Sequence, residues 1–264
     1  MDKQFSDWWA IILGGSSGFG LAAVEKLARH GMNIAVLYRE TSAAEKAVKE
    51  KFSGIAAAAG VTIEAHNLNA LDPESRDAFI RQFAAAPERQ HRVRLLLHSI
   101  ARGNLKPLVG EAAEGLSTED IRFTAYAMGT SLLDWVRSLF SAGLFCADAR
   151  IIGLTSEGAH KYWDGYAAVS IAKASLESLV TYMAVELGKY GLKTNLIQAG
   201  ITDTPSLKRI PSSDQLLELT PRRNPLGRMT QVEDIANAIY LLCLDEAAWI
   251  NGSLLHVDGG EHCR

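Results

Sequence analysis

Residues 8–31 read WWAIILGGSSGFGLAAVEKLARHG, and this stretch decides the fold of the chain. An apolar run comes first, a glycine-rich loop follows it, and a helical pattern then continues to Gly31. Small residues in such a loop let the backbone approach a pyrophosphate, while the helix N-terminus offers N–H groups and a positive dipole. The pattern predicts a nucleotide-binding loop, with a tight turn that binds no ligand as the alternative. The predicted contacts are Gly14, Ser16, Ser17, Gly18, Phe19 and Gly20.

The rest of the chain repeats this alternation of apolar, β-branched runs with helical patterns. Continuous apolar strands separated by helices are typical of a parallel sheet that is covered on both faces. We therefore predict a single doubly wound α/β domain of the Rossmann type over residues 1–264, with about seven strands. Strands are predicted at 8–15, 33–38, 61–68, 93–100, 149–156, 193–200 and 253–260, and helices at 19–31, 42–60, 73–86, 121–143, 166–190 and 232–244.

Composition narrows the classes of function. The net charge of −3 and the pI near 6.2 indicate no nucleic-acid surface. Cys146, Cys243 and Cys263 show no CxxC spacing, which fits free thiols in a reducing cytoplasm. The apolar run near the N-terminus is too short to span a bilayer, so no membrane association is expected. No metal site is predicted.

The segment from about residue 201 to 228 breaks the alternation and contains Pro205, Pro211, Pro221 and Pro225. It follows the C-terminal end of the predicted sixth strand, where open α/β sheets bind ligands. We predict a mobile lid over the substrate, with a surface excursion of no chemical consequence as the alternative.

The end of the second predicted strand bears on the choice of nucleotide. An arginine there suits the 2′-phosphate of NADPH, whereas a carboxylate suits the ribose hydroxyl of NADH. Arg39, close to the serines of the glycine-rich loop, favours NADPH, and the adjacent Glu40 keeps NADH as the less favoured alternative. Asn67 and Leu68, at the end of the third strand, are predicted to contact the adenine.

A tyrosine and a lysine mark the chemical site. Tyr166 and Lys173 stand seven residues apart in YAAVSIAK, which is about two helical turns, so both side chains are expected on one face. Behind a nucleotide loop, the pair predicts a proton-donating phenol and a cofactor-binding ammonium.

With these motifs, the chain resembles the short-chain dehydrogenase/reductase superfamily through LGGSSGFG, HSIA, the Tyr/Lys helix, AGITDT and HVDGG. Within it, the chain is most similar to the enoyl-acyl-carrier-protein reductases. The Y-x6-K interval, the HSIA exit of the fourth strand (residues 98–101) and the QAG exit of the sixth (residues 198–200) carry this likeness. Tyr162 and LTPRRNPLGRM (residues 219–229) are similar to the NADPH-using third type of these reductases.

The resemblance implies NADPH-dependent reduction of the C=C bond of enoyl thioesters in fatty acid synthesis. Tyr166 would stabilise the enolate, as an oxyanion hole does, and Lys173 would hold the nicotinamide ribose. Tyr162 and Ser156 join the candidate catalytic residues. Further cofactor contacts are implied at Ser99, Ile100, Ala101, Gly200, Ile201 and Thr204.

The implied partners are an acyl-carrier-protein or CoA thioester and three further copies of the chain, with a dimer as the alternative to the homotetramer. An acidic carrier protein would meet the basic residues that flank the lid. These residues are Lys208, Arg209, Arg222 and Arg223.

Two other functions stay open. The first is a carbonyl or 3-oxoacyl reductase, because Ser156 lies seventeen residues before Lys173, where carbonyl reductases place their substrate-orienting serine. Val169, which stands where those enzymes carry their tyrosine, speaks against it. The second is a non-catalytic NADP-binding sensor.

His98 is a candidate catalytic group, although a strand-end histidine more often serves packing.

Overall fold

A computed structural model of the chain describes residues 3–110, 114–211 and 213–264; residue 212, within the predicted lid, lies outside the described residues. The strands among these residues are β1 (Trp9–Leu13), β2 (Asn33–Tyr38), β3 (Ile63–Asn67), β4 (Val93–His98), β5 (Phe145–Ser156), β6 (Lys193–Ala199) and β7 (Leu254–Val257). These seven strands are parallel and form one sheet in the order β3-β2-β1-β4-β5-β6-β7, so the predicted fold class is confirmed.

The described residues form eight α-helices, and helices pack on both faces of the sheet. The side chains of a strand alternate between its two faces, so each strand contributes to both cores. On β1, Ile11 and Leu13 join the core under one helix layer, while Ala10 and Ile12 join the core under the other. The helices are α1 (Gly18–Arg29), α2 (Ser42–Ala59), α3 (Pro73–Ala84), α4 (Thr118–Ala125), α5 (Ser131–Ser141), α6 (Ala167–Gly188), α7 (Ser213–Arg223) and α8 (Val232–Cys243).

The strand register brings the ligand-binding loops to one edge. Leu13 pairs with Leu37 on β2 and with His98 on β4, so these three strands end side by side. The winding direction reverses at β1, because β2 and β3 lie on one side of it and β4 on the other. Such a switch point opens a crevice beyond the carboxyl ends of the strands.

The predicted helix over 121–143 is divided in the structure. It begins earlier, where Ser117 and Asp120 form a capping box, and a π-helical turn (Tyr126–Thr130) separates α4 from α5. Gly129 lets α6 approach this turn closely, since a Cβ there would lie 2.6 Å from Ser175 Oγ on α6. Helical periodicity in the sequence does not distinguish such a π-helical turn from a continuous α-helix.

Helix α6 is long and apolar enough to cross a membrane by length and composition, and it is the one such helix among the described residues. It packs against β5 and β6, and 44% of its most apolar window is buried. Core packing therefore accounts for part of its apolar composition, while Ile171, Tyr182 and Val185 are exposed.

The segment predicted to be a lid consists of a short 3₁₀ turn (Leu207–Arg209) and then α7. Arg223, at the end of α7, forms ion pairs with Glu157, which follows β5, and with Glu261 in the 3₁₀ turn Glu261–Cys263. These pairs tie the end of the segment to the rim of the sheet. Its movement as a lid stays a prediction.

Candidate active site

A cavity of about 640 Å³ opens at the C-terminal edge of the sheet, where the register brings the strand ends together. All of the predicted site residues line it except Gly20, Asn67 and Tyr162. Those in the lining are Gly14, Ser16, Ser17, Gly18, Phe19, Arg39, Leu68, Ser99, Ile100, Ala101, Ser156, Tyr166, Lys173, Gly200, Ile201 and Thr204.

The glycine-rich loop forms a cradle that side chains would fill. A Cβ on Gly14, whose φ is +87°, would lie 2.5 Å from the carbonyl oxygen of Ser99. A Cβ on Gly20 would lie 2.1 Å from the carbonyl oxygen of Gly14, so Gly20 allows α1 to pack directly under the loop. Ser17 precedes α1, and its side chain caps no N–H group of the described residues. The first N–H groups of α1 are therefore free to bind a phosphate, and the cradle fits a dinucleotide.

A carboxylate, not the arginine, is held against this loop. The Ser16 hydroxyl donates a hydrogen bond to Glu40 Oε1 at 2.8 Å. The Asn67 amide fixes the Glu40 backbone, because it accepts from Glu40 N at 3.0 Å and donates to Glu40 O at 3.1 Å. Arg39 is exposed. Asn67 thus positions Glu40 and lies outside the cavity, whereas Leu68 lines it.

Tyr166 lies immediately before α6, which begins at Ala167, and its side chain is 9% exposed. Its hydroxyl donates a hydrogen bond to Ser156 Oγ at 3.2 Å. The ring fits against the turn after β5 because Gly158 has no side chain; a Cβ there would lie 2.5 Å from the ring. Burial raises the pKa of Tyr166, and the bond to Ser156 opposes this in part, so the phenol is a proton donor at neutral pH.

Lys173 is 5% exposed and also reaches the cavity wall. Its ammonium donates to the carbonyl oxygens of Leu154 at 2.8 Å and Met128 at 3.3 Å. The π-helical turn presents the second of these carbonyls. An ammonium has three donors, so one remains for a ligand. Burial lowers the pKa of Lys173 to about 8, with the charge of Glu177 opposing the change, and the group is mainly charged at pH 7.

The sequence interpretation missed several residues of this cavity. Glu261 is 2% exposed, and its carboxylate accepts the N–H of Ile201 at 3.2 Å. Burial raises the pKa of Glu261. An apolar wall next to Tyr166 was also missed because its members lie on loops far apart in sequence. The wall consists of Leu105, Trp163 and Ile210, which line the cavity and pack against the cluster that contains Tyr166.

Two candidate catalytic residues lie outside the cavity. Tyr162 is 89% exposed, and its hydroxyl is 3.5 Å from Asp164 Oδ1, so this arrangement does not support its predicted catalytic role. His98 is buried, and its Nε2 forms a hydrogen bond with Ser131 Oγ at 2.9 Å. Burial and the nearby charge of Lys173 lower the pKa of His98 to about 3. It is therefore a neutral core residue.

The known proteins that the chain resembles are oxidoreductases. The family model described as enoyl-(acyl carrier protein) reductase matches residues 14–262. The NADH-dependent enoyl-acyl-carrier-protein reductase of Aquifex aeolicus is 29% identical over 247 residues, which cover 94% of this chain and 87% of that protein. D-erythrulose reductase of Gallus gallus is 27% identical over 261 residues, or 98% of this chain and 97% of that protein.

A solved structure supports the same grouping. The crystal structure of the enoyl-acyl-carrier-protein reductase (NADH) from Aquifex aeolicus superimposes with a TM-score of 0.84 at 25% identity. The superposition covers 99% of this chain and 98% of that one.

The prediction of NADPH is wrong. The Aquifex enzyme is named for NADH in both comparisons, against the inference drawn from Arg39 and from the likeness to the NADPH-using type. The structure supplies the physical reason. Arg39 is exposed in the cavity lining, while the Glu40 carboxylate contacts the loop, where a 2′-phosphate would meet like charge.

Proposed function

The chain belongs to the enoyl-(acyl carrier protein) reductase family of the short-chain dehydrogenase/reductase superfamily, and from that premise we propose that it uses NADH to reduce the C=C bond of enoyl thioesters. One observation carries the proposal. The buried Tyr166 phenol lies in the cavity two turns ahead of Lys173, and the position one turn ahead is filled by Val169, which has no proton to donate. The phenol is thus set away from the lysine and beside the apolar wall.

NADH, when bound, would supply a hydride to the β-carbon of the substrate. Negative charge then develops on the thioester oxygen, and the Tyr166 hydroxyl is the buried donor available to hydrogen-bond it. For this the hydroxyl exchanges its bond to Ser156 for one to the substrate. The enolate finally takes up a proton from water at its α-carbon, which gives the saturated thioester. Burial keeps water from competing for the phenol.

Lys173 would hold the ribose hydroxyls on the nicotinamide side through its third N–H. The carbonyls of Leu154 and Met128 orient the ammonium, so little side-chain freedom is lost when a ligand binds. The apolar wall would bind the acyl chain, because its side chains flank Tyr166 and offer no polar group except the Trp163 indole N–H.

Carbonyl reduction is the second candidate, and a specific contact favours it. Ser156, the position of the substrate-orienting serine in carbonyl reductases, is hydrogen-bonded to Tyr166 at 3.2 Å, so a serine–tyrosine pair exists despite Val169. The similarity to D-erythrulose reductase adds to this alternative. The apolar wall favours an acyl thioester over a small polar ketone.

Turnover of thioesters tests the proposal. We expect the purified protein to oxidise NADH with crotonyl-type thioesters and to act far more slowly on the matching 3-oxoacyl thioesters, as followed by nicotinamide absorbance. Faster oxidation with the 3-oxoacyl thioesters would favour the carbonyl candidate. Binding of NADH without turnover across an acyl-chain panel would favour a sensor.

Glu40 is expected to set the preference for NADH. Replacing it by Ala removes the carboxylate next to Ser16, so kcat/KM for NADPH should rise about tenfold relative to NADH. The matched control is Glu50→Ala, which removes an exposed carboxylate of α2 paired with Lys46. An unchanged ratio in Glu40→Ala would remove Glu40 from cofactor recognition.

The carrier protein is expected to dock beside α7, at Lys208, Arg209 and Arg222. Arg223 leaves this predicted set because its side chain is 29% exposed and is paired with the largely buried carboxylates of Glu157 and Glu261, whereas Lys208 is 63% exposed even in its pair with Asp203. Turnover of a carrier-protein thioester should then fall more steeply with added salt than turnover of the CoA thioester. Equal salt dependence would contradict this dock. The homotetramer and the cytoplasmic location stay predictions.

A further inference from the structure

Three side chains near the end of the chain form an arrangement that the proposed reduction does not use. Cys263 Sγ lies 3.4 Å from His262 Nε2, and His262 Nδ1 lies 2.7 Å from Asp258 Oδ2. Cys263 is exposed, His262 is partly exposed, and the Asp258 side chain is 3% exposed. The order thiol, imidazole, buried carboxylate is the one that activates nucleophiles in enzymes.

The protonation of the imidazole follows from its neighbours. Burial alone would raise the pKa of Asp258, but hydrogen bonds from the backbone N–H groups of His262 and Gly260 and from the imidazole lower it. The carboxylate is therefore ionised at neutral pH and can only accept, so His262 Nδ1 carries the proton. The lone pair of Nε2 then faces the thiol.

A neighbouring ring limits the freedom of this imidazole. His256 stacks on His262 with ring centroids 3.8 Å apart and an interplanar angle of 16°. Together with the bond to Asp258, the stack holds Nε2 toward Cys263. The thiol thus has both solvent access and an oriented base, the two conditions for a reactive cysteine.

We propose that Cys263 is a modification site that reacts with low-molecular-weight disulfides, with His262 as its base and Asp258 as the residue that orients that base. The thiol proton passes to His262 Nε2 while Sγ forms a bond to one sulfur of the disulfide. The disulfide's own S–S bond breaks, and its second sulfur leaves as a thiolate that takes the proton back from the imidazolium. Cys263 ends as a mixed disulfide, and one free thiol is released.

The other two thiols do not compete for such a reagent. Cys146 and Cys243 are buried in the core. Burial raises the pKa of Cys146, and it raises that of Cys243 to about 12. Modification is therefore expected at one cysteine per chain. The site lies two residues from Glu261, whose carboxylate accepts the Ile201 N–H at the cavity wall, so an attached group would stand beside the cavity.

The test uses the full chain with oxidised glutathione, followed by intact-protein mass spectrometry and peptide mapping. We expect one glutathione per native chain, on Cys263, and none on Cys263→Ser. His262→Gln should slow the reaction about tenfold or more, because the oriented base is lost. The matched control His30→Gln removes an imidazole that follows the last residue of α1 and stacks on Tyr240, outside the proposed site, so its rate should stay within about twofold of the native rate.

Circular dichroism establishes that each variant is folded. If His262→Gln does not fold, Asp258→Asn supplies the second arm, since it retains hydrogen-bonding atoms but removes the charge that orients the base; its rate should also fall. The proposal is overturned if the folded variant reacts as fast as the native chain, or if the adduct maps to Cys146 or Cys243. The readout needs no enoyl substrate, so it is independent of the proposed reduction.

Discussion

Replacing Tyr166 by Phe is expected to lower kcat for enoyl thioester reduction by about 10² to 10³, the usual effect of losing one oxyanion donor. The ring would still fit against the turn at Gly158, because only the hydroxyl oxygen is removed. The affinity for NADH should stay within about twofold, since the hydroxyl contacts Ser156 and would next contact the substrate. Steady-state kinetics and cofactor titration measure the two quantities separately.

Tyr162→Phe is the matched control for this variant. It makes the same chemical change four residues earlier, on a side chain that is 89% exposed. Its kcat should remain within about twofold of the native value, because surface substitutions rarely act at a distance. Full activity of Tyr166→Phe would remove Tyr166 from the mechanism. A large loss in Tyr162→Phe would instead restore the catalytic role that its exposure does not support.

Replacing Lys173 by Met is expected to raise KM for NADH by about 10- to 100-fold, the range for a lost charged hydrogen bond. The native enzyme should also show a rise in KM as pH increases from 7 to 9. Burial lowers the pKa of Lys173 to about 8, so the ammonium is present below this pH and is lost above it. The Met variant should lack this pH-dependent rise. Steady-state kinetics with varied NADH at several pH values measures both effects.

Lys189→Met provides the control, because it removes a lysine at the end of the same helix. Lys189 follows the last residue of α6 and is exposed, so its removal should leave KM for NADH and its pH dependence unchanged. If Lys173→Met kept the native KM and the native pH profile, the lysine would be a structural cation that joins α6 to Leu154 and Met128.

Elements with clear boundary signals were predictable from the sequence. Strand β2 was predicted at its observed bounds because the apolar run at residues 34–38 lies between the polar residues Asn33 and Arg39. Helix α2 was predicted to within one residue, because it begins after the Thr41 cap and Gly60 ends it with φ +64°. The cavity residues that follow the strands were predictable because the carboxyl ends of the strands in a parallel sheet lie along one edge.

Features that depend on distant parts of the chain were not predictable. Strand β5 was predicted to begin at residue 149, because Asp148 interrupts the apolar pattern. In the structure it begins at Phe145, since Arg94 and Arg150 hold the Asp148 carboxylate within the sheet. The cofactor preference was inverted because the position of Glu40 depends on Asn67, which comes from β3. Likewise, the apolar wall is assembled only when its loops fold together.

The central claim is that the hydride goes to the β-carbon of an enoyl thioester. The most direct test uses NADH that carries deuterium at the transferable position, with a crotonyl-type thioester as the substrate and mass spectrometry and NMR of the product. We expect a saturated acyl thioester with one deuterium on its β-carbon, and no such product from Tyr166→Phe over the same time. Unreacted enoyl thioester, together with deuterium on the carbinol carbon of a hydroxyacyl product when a 3-oxoacyl thioester is offered, would contradict the claim.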